Sequence, residues 1–222
     1  YTAINWFFEQ VDQGVILEDD VLPDMSFFTF CQQLLDQYRE DQRVMMISGF
    51  NVCGRWKENL QDYHFSFFGG GWGWASWKRA WKHYDYYLEA WADPNVKKII
   101  LDYFPPEIRE KRRTMYDTLF NGREGSVWDL QWTFAKLLNS GLSIVPSKSL
   151  VQNIGFGEGA THTLNKDHVW AYIRAQNIDF PLRSPNSVIV DDEYDKLHLN
   201  PKLAGRARTL AFTRVLQRFL HL

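Results

Sequence analysis

A helical period and short apolar runs take turns along the first fifty residues, and that alternation restricts the fold more than any other feature of the chain. YTAINWFFEQVDQ sets Ala3, Ile4, Phe7, Phe8 and Val11 at the spacing of one helix face, beginning at residue 1 with no capping residue before it. Gly14 to Leu17 is a short apolar strand. A turn at Leu22-Pro23-Asp24 leads into a second helical pattern from about Ser26 to Tyr38, and Arg43 to Phe50 is a second buried strand. Such αβαβ order predicts an α/β domain with a mostly parallel sheet covered by helices. In sheets of that kind ligands gather at the carboxyl ends of strands. At the first such end the chain places three consecutive acids, Glu18-Asp19-Asp20.

Three adjacent carboxylates repel one another and resist desolvation, so they are costly at a strand end unless a cation or a set of donors offsets them. In extended backbone Glu18 and Asp20 point to one face and Asp19 to the other. Two oxygen donors can thus converge on Mg²⁺ or Mn²⁺, with substrate phosphates completing the shell. The alternative is that the acids cap the following turn and sit in water.

Further along, Tyr63 to Phe68 is a third strand running into Gly69-Gly70-Gly71-Trp72-Gly73, after which Trp74 to Trp81 has a helical pattern. Helices are expected at about 94 to 103, 106 to 120 and 127 to 139, and a strand at Leu142 to Val145. NIGFGEGATHT, from Asn153 to Thr163, is a glycine-rich loop suited to lie over a site. Asp191 to Asp195 is an acidic patch, and a basic amphipathic helix begins at about Pro201. No internal repeat or low-complexity linker is present.

Composition narrows the classes. A chain of 222 residues, 45% hydrophobic, can bury a real core. The net charge of -2 gives no general attraction to polyanions, so no nucleic-acid partner is expected. No stretch approaches the roughly 20 apolar residues of a membrane span. Cys31 and Cys53 are too few for a disulfide framework and suit free thiols in a reducing compartment. Aromatics reach 16%, with 10 Trp, which leaves platforms for a sugar ring or a base as well as core. Trp74, Trp77 and Trp81 share a helical i, i+3, i+7 spacing and are assigned to the core. Trp72 lies between glycines, off that stripe, and is the better platform.

LEDD after a short strand, GGGWGWASWKRAW, SVWDLQW and NIGFGEGATHT, in that order, resemble bacterial glycosyltransferases of the GT-A type. They are also similar to the inverting N-acetylglucosaminyltransferases. The resemblance covers about residues 1 to 165, leaving 166 to 222 as a C-terminal extension. It implies a GT-A-like, Rossmann-like sheet and transfer of a sugar from a nucleotide-diphosphate donor to a glycan or lipid-linked acceptor, as in building a bacterial surface polysaccharide. It implies further that Mn²⁺ or Mg²⁺ bridges the acids to the diphosphate, with Asp20 touching the metal and Glu18 and Asp19 supporting it through the sugar and ribose hydroxyls. His162 matches a late metal or diphosphate ligand. Asp129 matches the catalytic base of inverting members, a carboxylate that takes the acceptor's hydroxyl proton. Its other reading is the acid of an S-x-x-D capping box begun by Ser126. Gly70, Gly71, Trp72, Gly73, Trp128, Phe156 and Gly157 are the candidate substrate-contacting positions.

GT-A domains begin with a βαβ unit that binds base and ribose, so the resemblance implies that such a unit precedes Tyr1 and that the chain by itself binds nucleotide-sugars weakly. A strand edge left open there is a template for a homodimer. The expected setting is the cytoplasm. There the helix from 201 to 222 either packs on the domain or contacts the inner face of a bacterial membrane. A metal-dependent phosphohydrolase and a non-catalytic carbohydrate-binding module are the competing classes.

Overall fold

The computed structural model describes residues 1–122, 128–156, 169–200 and 203. Seven strands, β1 (Gln13–Ile16), β2 (Val21–Pro23), β3 (Val44–Ser48), β4 (Tyr63–Ser66), β5 (Trp74–Trp77), β6 (Leu142–Pro146) and β7 (Val151–Asn153), form two sheets. The larger has the order β1-β5-β3-β6-β4, and β2 pairs with β7 in a small second sheet. The helices are α1 (Thr2–Gln10), α2 (Ser26–Gln37), α3 (Lys78–Trp81), α4 (Pro94–Asp102), α5 (Pro106–Phe120), α6 (Trp128–Leu138) and α7 (Asp192–Leu199), with a 3₁₀ turn at Glu89–Ala92.

The fold is mixed α/β, and the mostly parallel sheet expected from the alternation is corrected. Only β3 and β6 pair in parallel; β1 with β5, β5 with β3, and β6 with β4 are antiparallel. Because β1 and β3 are both antiparallel to β5, they do run the same way, as αβαβ order requires. What separates them is β5, built from Trp74-Ala75-Ser76-Trp77, which the sequence pattern assigned to a helix. Gly73, at φ +57°, breaks the backbone just before this strand, and the helix starts only at Lys78.

Strand geometry also changes why the tryptophans are buried. Residues three apart in a strand lie on opposite faces. Trp74 stacks against Trp128, with ring centroids 5.2 Å apart, and packs beside Trp81 and Trp132. Trp77 faces α2 instead, donating its indole N–H to the Leu35 carbonyl at 3.0 Å. Two apolar layers therefore flank the sheet. One joins α2 with Phe27, Phe30, Cys31 and Leu34. The other joins α1, α3 and α6 through Phe8, Trp81 and Trp132. Each such buried side chain stabilises the fold by about 1.5–3 kcal/mol relative to exposure. Both cysteines are buried free thiols, as expected.

Residues 169–200 pack on the same body. Ile173, Ile178 and Tyr194 enter the α2-side layer, and Arg183 forms an ion pair with Asp62 at 2.6 Å. The acids at 191 to 195 are a helix start rather than a loose patch: the Asp191 carboxylate accepts from the Tyr194 N–H at 3.1 Å and caps α7. Asp195 accepts hydrogen bonds from the Ser66 hydroxyl and the Phe67 N–H. That contact fastens the start of the glycine-rich segment to α7. No helix among the described residues is long and apolar enough to cross a membrane. The basic helix expected from residue 201 lies, apart from Leu203, outside the described residues.

Candidate functional site

Strand register brings the parts of the site to one edge. Ile16 stands opposite Trp74, and Trp74 opposite Ser48, so the acid run, the glycine-rich segment and Phe50 emerge side by side. The acids themselves are not extended. Asp19 and Asp20 form a turn that the Val21 N–H closes on the Glu18 carbonyl at 3.1 Å. The turn redirects the chain into β2, which pairs with β7 and draws the 153–155 segment against Asp20.

Asp20 is held by two hydrogen bonds from Asn153 and Ile154, at the end of β7 and just after it. Its carbonyl accepts from the Ile154 N–H at 2.8 Å, and its Oδ2 accepts from the Asn153 side-chain amide at 3.0 Å. Asn153 also accepts the Gly155 N–H at 2.7 Å, which stiffens the arrangement. The other oxygen, Asp20 Oδ1, is buried with no hydrogen-bond partner among the described residues. A carboxylate oxygen oriented in this way and left bare is costly unless something outside the chain engages it. Gly155 is required by the close approach: a Cβ there would run into Asp20 Oδ2 and stand 3.0 Å from its Cγ. Gly155→Ala is expected to destabilise the protein by about 1–3 kcal/mol through this overlap. A denaturation midpoint equal to that of the unsubstituted protein would refute it.

Glu18 turns toward a different partner. Partial burial raises its carboxyl pKa above the ordinary value, a hydrogen bond with the Trp128 side chain opposes this, and Asp20, Asp129 and Asp19 push it further up. Four carboxylates from two distant segments thus share one neighbourhood, and a cation there would relieve their repulsion. Among the described residues no group of three or more acids, histidines or cysteines is arranged to hold a metal ion. Glu18 and Asp20 are the residues that could contribute oxygens to an ion taking the rest of its shell from water and phosphate.

Trp128 and Asp129 open α6. Asp129 is exposed, and its Oδ1 accepts from the Leu130 N–H at 2.9 Å. Ser126 lies outside the described residues, as do Gly157 and His162. Asp129, Trp128, Gly70, Gly71 and Trp72 line one pocket of about 330 Å³, whose wall continues through Phe68, Phe104, Arg112, Trp170 and His198. A Cβ on Gly71 would stand 3.4 Å from the Trp128 ring and 3.9 Å from Asp129 Cβ, so the glycine lies directly against the helix start. Trp72 is half-buried, bracketed by Phe50 at 4.5 Å, Phe156 at 5.6 Å and Trp170 at 5.7 Å between ring centroids. Gly73 is not part of the pocket wall: it forms the turn into β5, its carbonyl accepting from the Gly49 N–H at 2.7 Å.

Sequence reasoning missed Asn153, Trp170, Arg112 and His198. Asn153 heads the glycine-rich run and had a local signal. Arg112 sits in a basic stretch of α5 that reads as a solvated face, and only tertiary packing brings it beside α6 and α7. The chain matches no protein-family model and no curated protein, so its functional assignment rests on the fold and on this arrangement of residues.

Proposed function

We propose that the chain carries the catalytic site of a metal-dependent, inverting glycosyltransferase that uses a nucleotide-diphosphate sugar. The observation that carries this reading is the convergence of two acid sets. The Glu18–Asp20 turn, with its bare Asp20 oxygen, meets the start of α6, where Asp129 faces an aromatic, glycine-floored pocket. Glu18 and Asp20 would hold Mn²⁺ or Mg²⁺, which when bound neutralises the diphosphate leaving group. Asp19 would support the donor through its hydroxyls. The acceptor occupies the pocket, its ring against Trp72 or Trp128, and offers a hydroxyl to Asp129. Asp129 takes that proton as the oxygen attacks the anomeric carbon, and the nucleoside diphosphate departs on the opposite face. Surface-polysaccharide assembly is the setting that best suits such a reaction.

The test pairs a panel of UDP- and GDP-sugars with Mn²⁺. Donor binding that depends on Mn²⁺ and is lost in Asp20→Asn is expected. Binding that ignores Mn²⁺, or survives Asp20→Asn unchanged, would refute the metal assignment. Release of free sugar or phosphate with no transfer to any acceptor would favour a hydrolase.

A further inference from the structure

The charges on the pocket wall indicate what kind of acceptor it takes. Among its described residues Asp129 is the acid and Arg112 the cation. The Arg112 guanidinium makes no hydrogen bond or ion pair with any described residue; its recorded contact is with the Phe104 ring, 5.1 Å from the centroid. Beside it the chain places His198, whose Nδ1 is buried without a partner among the described residues. Burial, Lys136 and Arg112 hold that imidazole neutral, its pKa lowered to about 3. Phe104 contacts Phe68 at 5.6 Å, and Phe68 stacks on His198 at 5.6 Å. Arg112, Phe104, Phe68 and His198 therefore form a continuous strip of one wall, an apolar surface carrying a fixed positive charge and an unsatisfied imidazole nitrogen.

An unpaired guanidinium in a concave, aromatic-lined site favours an oxyanion, which it can bind through two parallel N–H donors. We infer that the pocket selects an acceptor glycan carrying an anionic substituent, a carboxylate or a phosphate, bound by Arg112. This rests on the glycosyltransferase reading for the word acceptor, although binding itself does not. The donor's diphosphate is the other anion in the reaction, but Asp20, the residue assigned to hold its metal, is not on this wall. Arg112 therefore belongs with Asp129 and the acceptor.

Direct binding tests the inference without transfer activity. Trp72, Trp128, Trp132 and Trp170 line the pocket, so tryptophan fluorescence, supported by saturation-transfer NMR, reports occupancy. Glucuronate and glucose 6-phosphate represent the two anion chemistries, and glucose is the neutral control. At low salt the two anions are expected to bind about tenfold more tightly than glucose, the scale of one charge-assisted pair. Arg112→Gln should abolish that preference, Arg112→Lys should keep part of it, and Asp20→Asn should leave it intact. Among the described residues Arg112 touches one ring and no polar partner, so the variants should fold, which circular dichroism verifies. Equal binding of glucose and both anions, or a preference that survives Arg112→Gln, would overturn the inference. So would an Arg112→Gln loss confined to UDP binding with Mn²⁺. Absence of transfer in every assay, with the anion preference present and dependent on Arg112, would sink the transferase reading and leave the anion subsite standing.

Discussion

Asp129→Asn should bind Mn²⁺ and donor as the unsubstituted protein does and turn over roughly 10²–10⁴-fold more slowly, the usual scale of general-base catalysis. Asparagine preserves the shape of the side chain and an oxygen that can accept the Leu130 N–H. It lacks the basic oxygen needed to remove an acceptor proton. Because Asp129 is exposed at the head of α6, stability should change little. A purely structural acid predicts the reverse, since weakening a helix-start contact costs about 0.5–2 kcal/mol while the folded fraction works normally. Donor affinity, melting temperature and kcat measured together separate the two. Full turnover by Asp129→Asn would remove the base assignment, whatever its stability.

The site was legible where local chemistry alone determined it. Glu18, Asp19 and Asp20 stand out because three acids follow an apolar run, and Asp129 because it opens an aromatic-rich helix. Their meeting was not legible, since it depends on tertiary packing: β1 pairs with β5, and Trp74 of β5 stacks on Trp128 at the start of α6. The helices at 26, 94, 106 and 128 were read to within a residue or two because each repeats an apolar face over several turns. The larger sheet departs from the expected parallel order at two places, the four-residue stretch Trp74–Trp77 and β4, which pairs antiparallel with β6. Two tryptophans three apart suit a helix face and equally suit the two faces of a strand, and four residues cannot separate those periods. Inserting Trp74–Trp77 between β1 and β3 then converts an expected parallel neighbour into two antiparallel ones. Arg112 and His198 show a different limit: nothing local distinguishes a solvated basic side chain from one facing a pocket.

Acid should unfold the protein through its buried histidines. Burial lowers the pKa of both His64 and His198 to about 3, well below the ordinary histidine value. Asp191 opposes and Lys57 adds to the effect at His64, while Lys136 and Arg112 add to it at His198. Unfolded, both histidines take up protons as the pH falls through about 6.5; folded, neither does until about 3. Asp195 works the other way, because burial raises it to about 6, so the folded chain carries that proton while the unfolded chain does not until about 4. From these three groups, between about pH 4 and 6 the unfolded state binds roughly one proton more, a contribution by which stability falls by about 1.4 kcal/mol for each unit of acidification; the raised Glu18 works against it and the lowered His83 with it. Lys136, lowered to about 7 by burial, is protonated in both states below that pH and adds its own slope only above it. Asp24 and Asp117, held below the ordinary value, add to the acid loss only under about pH 4. His64 is the decisive residue to change. Both of its ring nitrogens are buried without partners among the described residues, and its ring packs edge-on against Tyr194 with centroids 4.3 Å apart. His64→Phe keeps the ring contact, removes two unsatisfied nitrogens and cancels one of the two protons. Denaturant unfolding from pH 4.5 to 6 should then show a slope smaller than that of the unsubstituted protein by about 1.4 kcal/mol per pH unit, and at neutral pH a gain of about 1–3 kcal/mol from relieving the unpaired polar atoms. A slope in His64→Phe equal to that of the unsubstituted protein would mean that His64 is not held neutral in the fold.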